Sequence, residues 1–269
     1  MIERRPIGIF DSGIGGLTVA RAIYDLLPNE SLLYFGDTAH LPYGEKSPEL
    51  IRRYSSRITQ HLVESGCKAI VVACNSASSN AIEAIVEAAG PNVPVIDMVT
   101  PVIRSISAEN GSQIVGLIGT RATISSGLYR TTMNQLNANS TLVSRATPLL
   151  ASAIEEGFFN DSIPGAVLEA YFADNSFDFI DYMILGCTHY PLVRSEVQAL
   201  LPVGVKVIDS PEIVSRELKR VLSSGQITSS ALSLPPEHHF QVSDLTANFK
   251  FSAHHFFGAD LNLEEVSLS

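Results

Sequence analysis

Two segments of the chain repeat one pattern, in which an apolar run ends at a cysteine, small or polar residues follow, and a helical pattern begins. The first segment, residues 69–79, reads AIVVACNSASS, and the second, residues 182–194, reads YMILGCTHYPLVR. Continuous runs of apolar and β-branched residues are typical of strands buried inside a parallel sheet. We therefore expect Cys74 and Cys187 each to lie where a strand ends and a helix begins.

Other landmarks recur in the same order along the chain. Residues 7–12 (IGIFDS) align with residues 115–120 (VGLIGT), the two cysteines align with each other, and residues 95–97 (VID) align with residues 207–209 (VID). The three offsets are 108, 113 and 112 residues, so the spacing is nearly constant. This predicts an α/β fold of two similar three-layer domains with mainly parallel sheets, related by pseudo-twofold symmetry, with the active site in the cleft between them.

The domain boundaries follow from the same repeat. A length of 269 residues is enough for two domains of about 100 residues each. We place the crossing into the second domain after residue 98, and a return begins at Ser210-Pro211. The first domain is then residues 1–98 plus 211–269, closed by the C-terminal segment, and the second is residues 99–210.

Helical periodicity predicts one helix over residues 121–137 and another over residues 191–201. The Ser-rich stretch at residues 223–235 is predicted as a loop. Polar residues that can cap the helix after the first repeated cysteine are Asn75, Ser76 and Ser78.

Both repeated cysteines are predicted at the sheet edge where parallel sheets bind ligands, beyond the carboxyl ends of the strands. The positive end of a helix dipole lowers a thiol pKa from about 8.5, so either thiol can act as a base or nucleophile near neutral pH. A lone cysteine after a strand is usually a small buried apolar residue, but two in matched settings favour chemistry. Cys67, at the opposite end of its strand, is interpreted as structural.

The charge balance is acidic, with 18 Lys and Arg against 28 Asp and Glu, a net charge of −10 and a pI near 5.1. Nucleic-acid binders need a clustered basic surface, so we expect no nucleic-acid partner. No apolar run reaches the length of a membrane span. The N-terminus enters a strand without a signal segment, so we expect a cytoplasmic protein whose three cysteines stay reduced.

Two patterns raise the question of a cofactor or a metal. The turn DSGIGG at residues 11–16 is similar to a dinucleotide-binding fingerprint, but Thr18 replaces its third glycine and Asp11 puts negative charge where a pyrophosphate would lie. We expect no cofactor. The histidine pairs at residues 238–239 and 254–255 lack a carboxylate or cysteine at ligand spacing, so we expect no metal and interpret them as solvated or core residues.

The aligned sheets bring together two thiols, acids, a histidine and several small polar side chains. These are Asp11, Ser12, Asp37, Tyr43, Cys74, Asn75, Ser76, Thr120, Cys187, Thr188 and His189. A Cys-His nucleophile leaves the second thiol idle, and a zinc site gains few ligands beyond the two thiols and the histidine. Two opposed thiols use the symmetry best, because one removes a proton from a carbon and the other returns a proton to the opposite face. This predicts cofactor-free inversion at an acidified carbon, such as the α carbon of an amino acid.

Neighbouring groups can support that chemistry. Asp11 beside Cys74 and His189 beside Cys187 can relay protons and tune the thiols. Backbone amides can hold the carboxylates of the substrate and the charge that develops on it, and the candidates are those of Ser12, Gly44, Asn75, Ser76, Thr188 and His189.

Five stretches of this chain together resemble one known family. They read IGIFDSGIGGLTV, YFGDTAHLPYG, VVACNSAS and LGCTHYPL, followed by a tail containing FQVSD and FFG. In that order they resemble the bacterial glutamate racemases, cofactor-independent members of the aspartate/glutamate racemase superfamily. The resemblance covers nearly the whole chain. It implies interconversion of L- and D-glutamate, a supply of D-glutamate for peptidoglycan, and no cofactor. We expect a homodimer.

The resemblance also implies roles for individual residues. Cys74 acts on the D enantiomer and Cys187 on the L enantiomer, with Asp11 and His189 as auxiliary groups and Glu155, next to Glu156, as an auxiliary acid. The implied substrate contacts, to which we add Thr120, are Asp11, Ser12, Tyr43, Gly44, Asn75, Ser76, Thr188 and His189.

One position departs from the family, which usually has threonine where this chain has Ser76. Serine keeps the hydroxyl, so we expect function to survive. The alternatives are an aspartate or related racemase and, in another class, a two-lobed amino-acid binding protein. The paired thiols and the absence of a secretion signal argue against the binding protein.

Overall fold

The computed structural model describes residues 5–109, 111–137, 139–160, 162–225, 227 and 235–268. Strands and helices alternate from the start. The elements up to residue 96 are β1 (Ile7–Asp11), α1 (Leu17–Leu26), β2 (Leu32–Gly36), α2 (Pro48–Glu64), β3 (Ala69–Val72), α3 (Asn75–Ala89) and β4 (Val95–Ile96). Two 3₁₀ turns, Thr38–His40 and Tyr43–Glu45, lie between β2 and α2.

The alternation continues through the rest of the chain. The next elements are α4 (Thr100–Ser107), β5 (Ile114–Gly119), α5 (Arg121–Ser125), α6 (Leu128–Leu136), β6 (Thr141–Ala146), α7 (Pro148–Glu155), α8 (Ile163–Phe172), β7 (Tyr182–Gly186), α9 (Arg194–Leu200) and β8 (Lys206–Ile208). The C-terminal elements are α10 (Ser210–Ser224), β9 (His238–Val242), α11 (Ala247–Phe257) and β10 (Leu263–Glu265).

The strands form two parallel sheets with the same internal order. The first sheet runs β10-β9-β2-β1-β3-β4 and the second runs β6-β5-β7-β8. The shared order β2-β1-β3-β4 and β6-β5-β7-β8 is the structural form of the sequence repeat. The prediction of two similar parallel α/β lobes is therefore confirmed, with β1 and β5 as the equivalent central strands of their repeats.

Each sheet is covered by helices on both faces. In the first sheet, successive residues alternate between two hydrophobic clusters, so Ile9 and Val71 face α1 and α10 while Phe10 and Val72 face α2 and α3. In the second sheet, one face packs on α4 and α6 and the other on α7, α8 and α9. Each fully buried aliphatic side chain contributes about 1.5–3 kcal/mol, which explains why these strands read as unbroken apolar runs.

The C-terminal segment returns to the first sheet. Strand β9 pairs with β2, placing Phe240 beside Tyr34, and β10 extends the edge beyond β9. Helix α10 packs on α1 and α4, and α11 packs on α1. The boundaries at residues 98/99 and 210/211 stay a prediction.

Two helix predictions are wrong in detail. The single helix expected over residues 121–137 is broken into α5 and α6, because Gly127 adopts a left-handed conformation with φ of 70°. The helix expected over residues 191–201 begins as a 3₁₀ turn, Tyr190–Val193, before α9. The loop predicted at residues 223–235 lies largely outside the described residues.

A buried ion pair joins the strand ends opposite the repeated cysteines. Lys68, just before β3, pairs with Glu30, just before β2, and their side chains are 0% and 3% exposed. Cys67 is also buried there, in the cluster that covers one face of the first sheet. In the described part of the chain, none of the helices combines the length and apolar character that a bilayer crossing requires.

Candidate active site

A pocket of about 60 Å³ lies between the two sheets, at the carboxyl ends of their strands. Segments after β1, β2 and β3 line it from one side, and segments after β5, β6 and β7 line it from the other. Every residue that the sequence predicts for catalysis or substrate binding lines this pocket: Asp11, Ser12, Tyr43, Gly44, Cys74, Asn75, Ser76, Thr120, Glu155, Cys187, Thr188 and His189. They converge because parallel strands present their carboxyl ends at one edge.

Cys74 occupies the N-cap position of α3 and is 4% exposed. Its Sγ accepts a hydrogen bond from Ala77 N at 3.4 Å and donates one to Ser12 Oγ at 3.6 Å. Strand β3 ends at Val72, and α3 begins at Asn75. Cys74 is therefore the residue immediately before the first helical turn. The prediction of a polar N-cap is therefore wrong for Asn75, Ser76 and Ser78, which all lie inside the helix.

Cys187 follows β7 in the second sheet and is 7% exposed. Its Sγ lies 3.6 Å from His189 Nδ1. The expected long helix does not follow directly, because a 3₁₀ turn stands between this cysteine and α9. The two thiols thus share a position in the repeat, but only Cys74 lies at the start of a long helix.

Burial raises the pKa of both thiols. For Cys74, desolvation raises the pKa to about 12, the charge of Asp11 adds to this, and the hydrogen bond from the first turn of α3 lowers it less. For Cys187, desolvation is again the largest cause, with a smaller lowering by the backbone N–H of His189. The prediction that helix ends lower these pKa values is wrong, because loss of water on burial outweighs the effect of the helix end.

Asp11 lies at the tip of β1 and is 1% exposed. Its Oδ2 accepts hydrogen bonds from Gly13 N at 3.1 Å and Gly16 N at 3.0 Å. Burial raises the pKa of Asp11, and the charge of His189 lowers it by less. The amides of the glycine-rich turn, which bind a phosphate in dinucleotide-binding folds, here hold this carboxylate instead.

His189 and Glu155 form a second acid-base group beside Cys187. His189 Nε2 lies 3.7 Å from Glu155 Oε2. Burial lowers the pKa of His189, and burial together with the charge of Glu156 raises the pKa of Glu155 to about 7. Glu156 is exposed and does not line this pocket. Of the two adjacent acids, Glu155 is therefore the one near the thiols.

Asn75 and Ser76 present polar atoms from the first turn of α3. Asn75 Nδ2 is buried without a hydrogen-bond partner among the described residues, and so is His189 Nε2. Ser76 Oγ and Thr120 Oγ1 form a hydrogen bond of 2.9 Å across the cleft. The unpartnered donor on Asn75 is a ready contact for an anionic ligand, because buried polar groups are normally satisfied.

The loop after β2 contributes Tyr43 and Gly44. Tyr43 donates to Asp37 Oδ2 at 2.6 Å, so Asp37, which the sequence placed with the converging groups, lies behind the pocket and does not line it. A Cβ added to Gly44 would lie 2.7 Å from Thr120 Cβ in the other lobe. Glycine is therefore required by the close approach of the two lobes at this point.

Several lining residues were not predicted from the sequence. They are Gly13, Leu41, Pro42, Glu45, Pro148, Ala151 and Ser152. The last three share one face of α7 with Glu155, since positions 148, 151, 152 and 155 follow helical spacing. Once Glu155 was assigned to the site, this helical spacing could have predicted the other three lining residues.

The pocket carries acids but little fixed positive charge. Of the described residues that line it, none is Lys or Arg. Carboxylates of a ligand would therefore be held by amides and hydroxyls, and a cationic group would meet Asp11 and Glu155. Within the described ranges there is no group of three or more His, Cys, Asp or Glu side chains arranged to hold a metal ion. The two histidine pairs lie at the start of β9 and in α11.

Such a site can remove and return a proton. Each thiol has an ionisable neighbour, Asp11 beside Cys74 and His189 beside Cys187. The charge of Cys74 also raises the pKa of Cys187, so the two sulfurs are close enough to interact electrostatically.

Comparison with known proteins gives a consistent result. The Asp/Glu/Hydantoin racemase family model matches residues 17–218. A glutamate racemase of Geobacter metallireducens is 38% identical over 265 residues, covering 98% of this chain and 97% of that protein. The crystal structure of the Francisella tularensis glutamate racemase in complex with D-glutamate matches with a TM-score of 0.92 at 36% identity, covering 98% of each chain. The Thermus thermophilus glutamate racemase in complex with β-chloro-D-alanine matches with a TM-score of 0.87 at 38% identity, again covering 98% of each chain.

Proposed function

The chain belongs to the Asp/Glu/hydantoin racemase family and groups with its glutamate racemases, and on that premise we propose that it interconverts L- and D-glutamate through two thiols. The observation that carries the proposal is that Cys74 and Cys187, from equivalent points of two repeated lobes, line one small pocket. A pocket that only bound an amino acid would need no thiol on either side.

The reaction is a proton exchange at the α carbon. The thiolate on one face takes the α proton, the electron pair of the broken C–H bond remains on the carbon and spreads into the α carboxylate, and the opposite thiol gives its proton to the other face. One thiolate is consumed and one is produced, so charge and protons balance. The family resemblance assigns Cys74 to the D enantiomer and Cys187 to the L enantiomer.

The substrate itself helps to form the thiolate. An ammonium about 4 Å from a sulfur stabilises its negative charge by about 4 kcal/mol at an effective dielectric of about 20, or about three pKa units. That would lower the pKa of Cys74 from the value of about 12 to which burial raises it. The acids Asp11 and Glu155 favour an ammonium in this pocket.

Asp11 and His189 help further to form the thiolates by accepting their protons. Burial raises the pKa of Asp11, which makes its carboxylate a better acceptor for the proton of Cys74. Transfer between these two groups moves the negative charge and creates no new one, so no additional charge has to be desolvated. His189 is suited to the same task for Cys187, because its Nδ1 lies 3.6 Å from the sulfur.

Amides and hydroxyls are suited to binding the two carboxylates of glutamate. The unpartnered Nδ2 of Asn75 and the α3 N-terminus favour an anion, and Ser76 with Thr120 offers hydroxyls from both lobes. By the resemblance, the D-glutamate formed would supply peptidoglycan synthesis. A homodimer also stays a prediction, and light scattering of the purified chain measures it.

The direct test is racemisation in deuterium oxide. L-glutamate incubated with the protein, without added cofactor, should give D-glutamate whose α position carries deuterium, as read by chiral chromatography and mass spectrometry. Aspartate at the same concentration should react much more slowly. Binding without exchange would identify a binding protein, and faster turnover of aspartate would make the substrate assignment wrong.

A further inference from the structure

Asn75 lines the pocket, and the oxygen and nitrogen of its side-chain amide differ in hydrogen bonding. It is 2% exposed, and its Oδ1 accepts a hydrogen bond from Tyr129 Oη at 2.7 Å. Its Nδ2 is buried without a hydrogen-bond partner in the described residues, although it belongs to the pocket lining. A buried amide donor without an acceptor is unfavourable, so its place suits a ligand that accepts this hydrogen bond.

Tyr129 belongs to the other lobe and does not line the pocket. Its ring is 2% exposed and packs in the core of the second lobe with Val102, Met133 and Leu142. Burial, aided by the charge of Asp97, raises the pKa of Tyr129, so its hydroxyl stays protonated and donates. A firmly packed donor of this kind fixes which end of the Asn75 amide faces the pocket.

The reversed amide would be unsuited to the substrate. It would direct Oδ1 into a pocket already lined by Asp11, Glu45 and Glu155, where a further acceptor repels a carboxylate. It would also leave the Tyr129 hydroxyl without the oxygen that accepts its hydrogen bond. We propose that Tyr129 is a positioning residue that acts through Asn75, holding Nδ2 towards a substrate carboxylate and so tying glutamate binding to the contact between the lobes.

This inference rests on the proposed glutamate chemistry and concerns binding more than proton transfer. The amide donor holds a carboxylate before and during the reaction, so its loss should affect ground state and transition state alike. Tyr129→Phe removes only the hydroxyl. It should raise KM for both L- and D-glutamate about tenfold, with kcat changed less than about threefold, because one hydrogen bond to a charged group is lost or misaligned.

The matched control is Tyr182→Phe. Tyr182 packs in the same hydrophobic cluster, but it lies at the start of β7, away from the pocket. This variant should keep both kinetic constants. Isothermal titration with D-glutamate in a Cys74→Ser background, which cannot take the α proton of this enantiomer, gives affinity without turnover, and it should show the same tenfold loss for Tyr129→Phe alone.

A double-mutant cycle decides whether Tyr129 acts through Asn75. Once Asn75 is replaced by Ala, adding Tyr129→Phe should change the affinity by less than about twofold. Asn75→Asp keeps the shape and the acceptor for Tyr129 but has no N–H to donate, so it should lose affinity even more than Asn75→Ala.

Three results would overturn the inference: unchanged KM and affinity in Tyr129→Phe, a full tenfold loss in the Asn75→Ala background, or wild-type affinity in Asn75→Asp. Failure of the wild-type protein to exchange the α hydrogen would instead contradict the proposed function, and the titration series would still test Tyr129.

Discussion

Glu155 lies beside the proposed proton path with its side chain only 25% exposed, and its pKa of about 7 leaves it partly protonated at neutral pH. The folded protein holds the proton of this acid more tightly than the unfolded chain, where the pKa is near 4.5. The stabilisation from the bound proton is therefore present below about pH 4.5 and lost as the pH rises through 7.

Glu155→Gln should remove that dependence. At pH 8 the variant should be more stable than the wild type by about 2 kcal/mol, and at pH 5 the difference should fall towards zero. Urea unfolding at both pH values measures it. Glu156→Gln, on the exposed neighbour whose charge also raises the pKa of Glu155, is the comparison and should give a smaller gain at pH 8, of less than about 0.5 kcal/mol. An equal gain at pH 5 and pH 8 would show that Glu155 is not held protonated.

The three cysteines offer a matched series for the thiol roles. Cys74→Ser and Cys187→Ser should each lower racemisation at least about 100-fold, because serine is a far weaker acid than a thiol at the position of a general base. Cys67→Ser should keep activity, since this side chain is buried at the opposite end of β3. Racemisation is followed by circular dichroism of glutamate. Full activity in either pocket variant would refute the two-base assignment.

The 3₁₀ turn Tyr43–Glu45 after β2 lies close against the start of α5 in the other lobe. Gly44→Ala would place a methyl 2.7 Å from Thr120 Cβ and should force the lobes apart. We expect kcat/KM to fall at least about tenfold and stability to fall by about 1–3 kcal/mol. Steady-state kinetics and thermal unfolding measure these changes.

Gly165→Ala is the control for that substitution. Gly165 lies in α8 with no atom of another segment within 4 Å of an added Cβ, and alanine is favoured over glycine in a helix by about 1 kcal/mol. It should keep activity and gain stability slightly. An active, stable Gly44→Ala protein would mean that the lobes are free to separate at this point.

The elements also show where sequence reasoning succeeds. The apolar runs before Cys74 and Cys187 predict buried parallel strands because that pattern has few alternatives, and the repeat orders the strands. The break between α5 and α6 escaped prediction, because an isolated glycine such as Gly127 is often tolerated inside a helical pattern. The N-cap role of Cys74 escaped it because Ser and Asn are far commoner caps.

The thiol pKa values depend on the whole molecule and show the limit of local reasoning. A helix N-terminus can be read from the sequence around Cys74, but the loss of water depends on both lobes closing over the pocket. For the same reason Tyr129 and the α7 face were missed, since their roles arise only when the second lobe meets the first. The motifs and the positions of the strands predicted which catalytic and binding side chains line the pocket. They did not predict the pKa values of those side chains.

The buried pair of Lys68 and Glu30 tests the stability of the whole fold without touching the pocket. Lys68→Met would remove the buried ammonium that pairs with the Glu30 carboxylate, and should cost about 3–5 kcal/mol of unfolding free energy. The double variant Lys68→Met/Glu30→Leu should recover most of this loss. Urea unfolding measures both, and a single variant as stable as the wild type would show that the pair is not sealed from water.

The most direct test of the account is a crystal structure with D-glutamate bound, in which the distances from its α carbon to the two sulfurs are measured. We expect Cys74 Sγ and Cys187 Sγ to lie on opposite faces of that carbon, each at about 3.5 Å. Both sulfurs on one face, or either sulfur too far away for proton transfer, would contradict it.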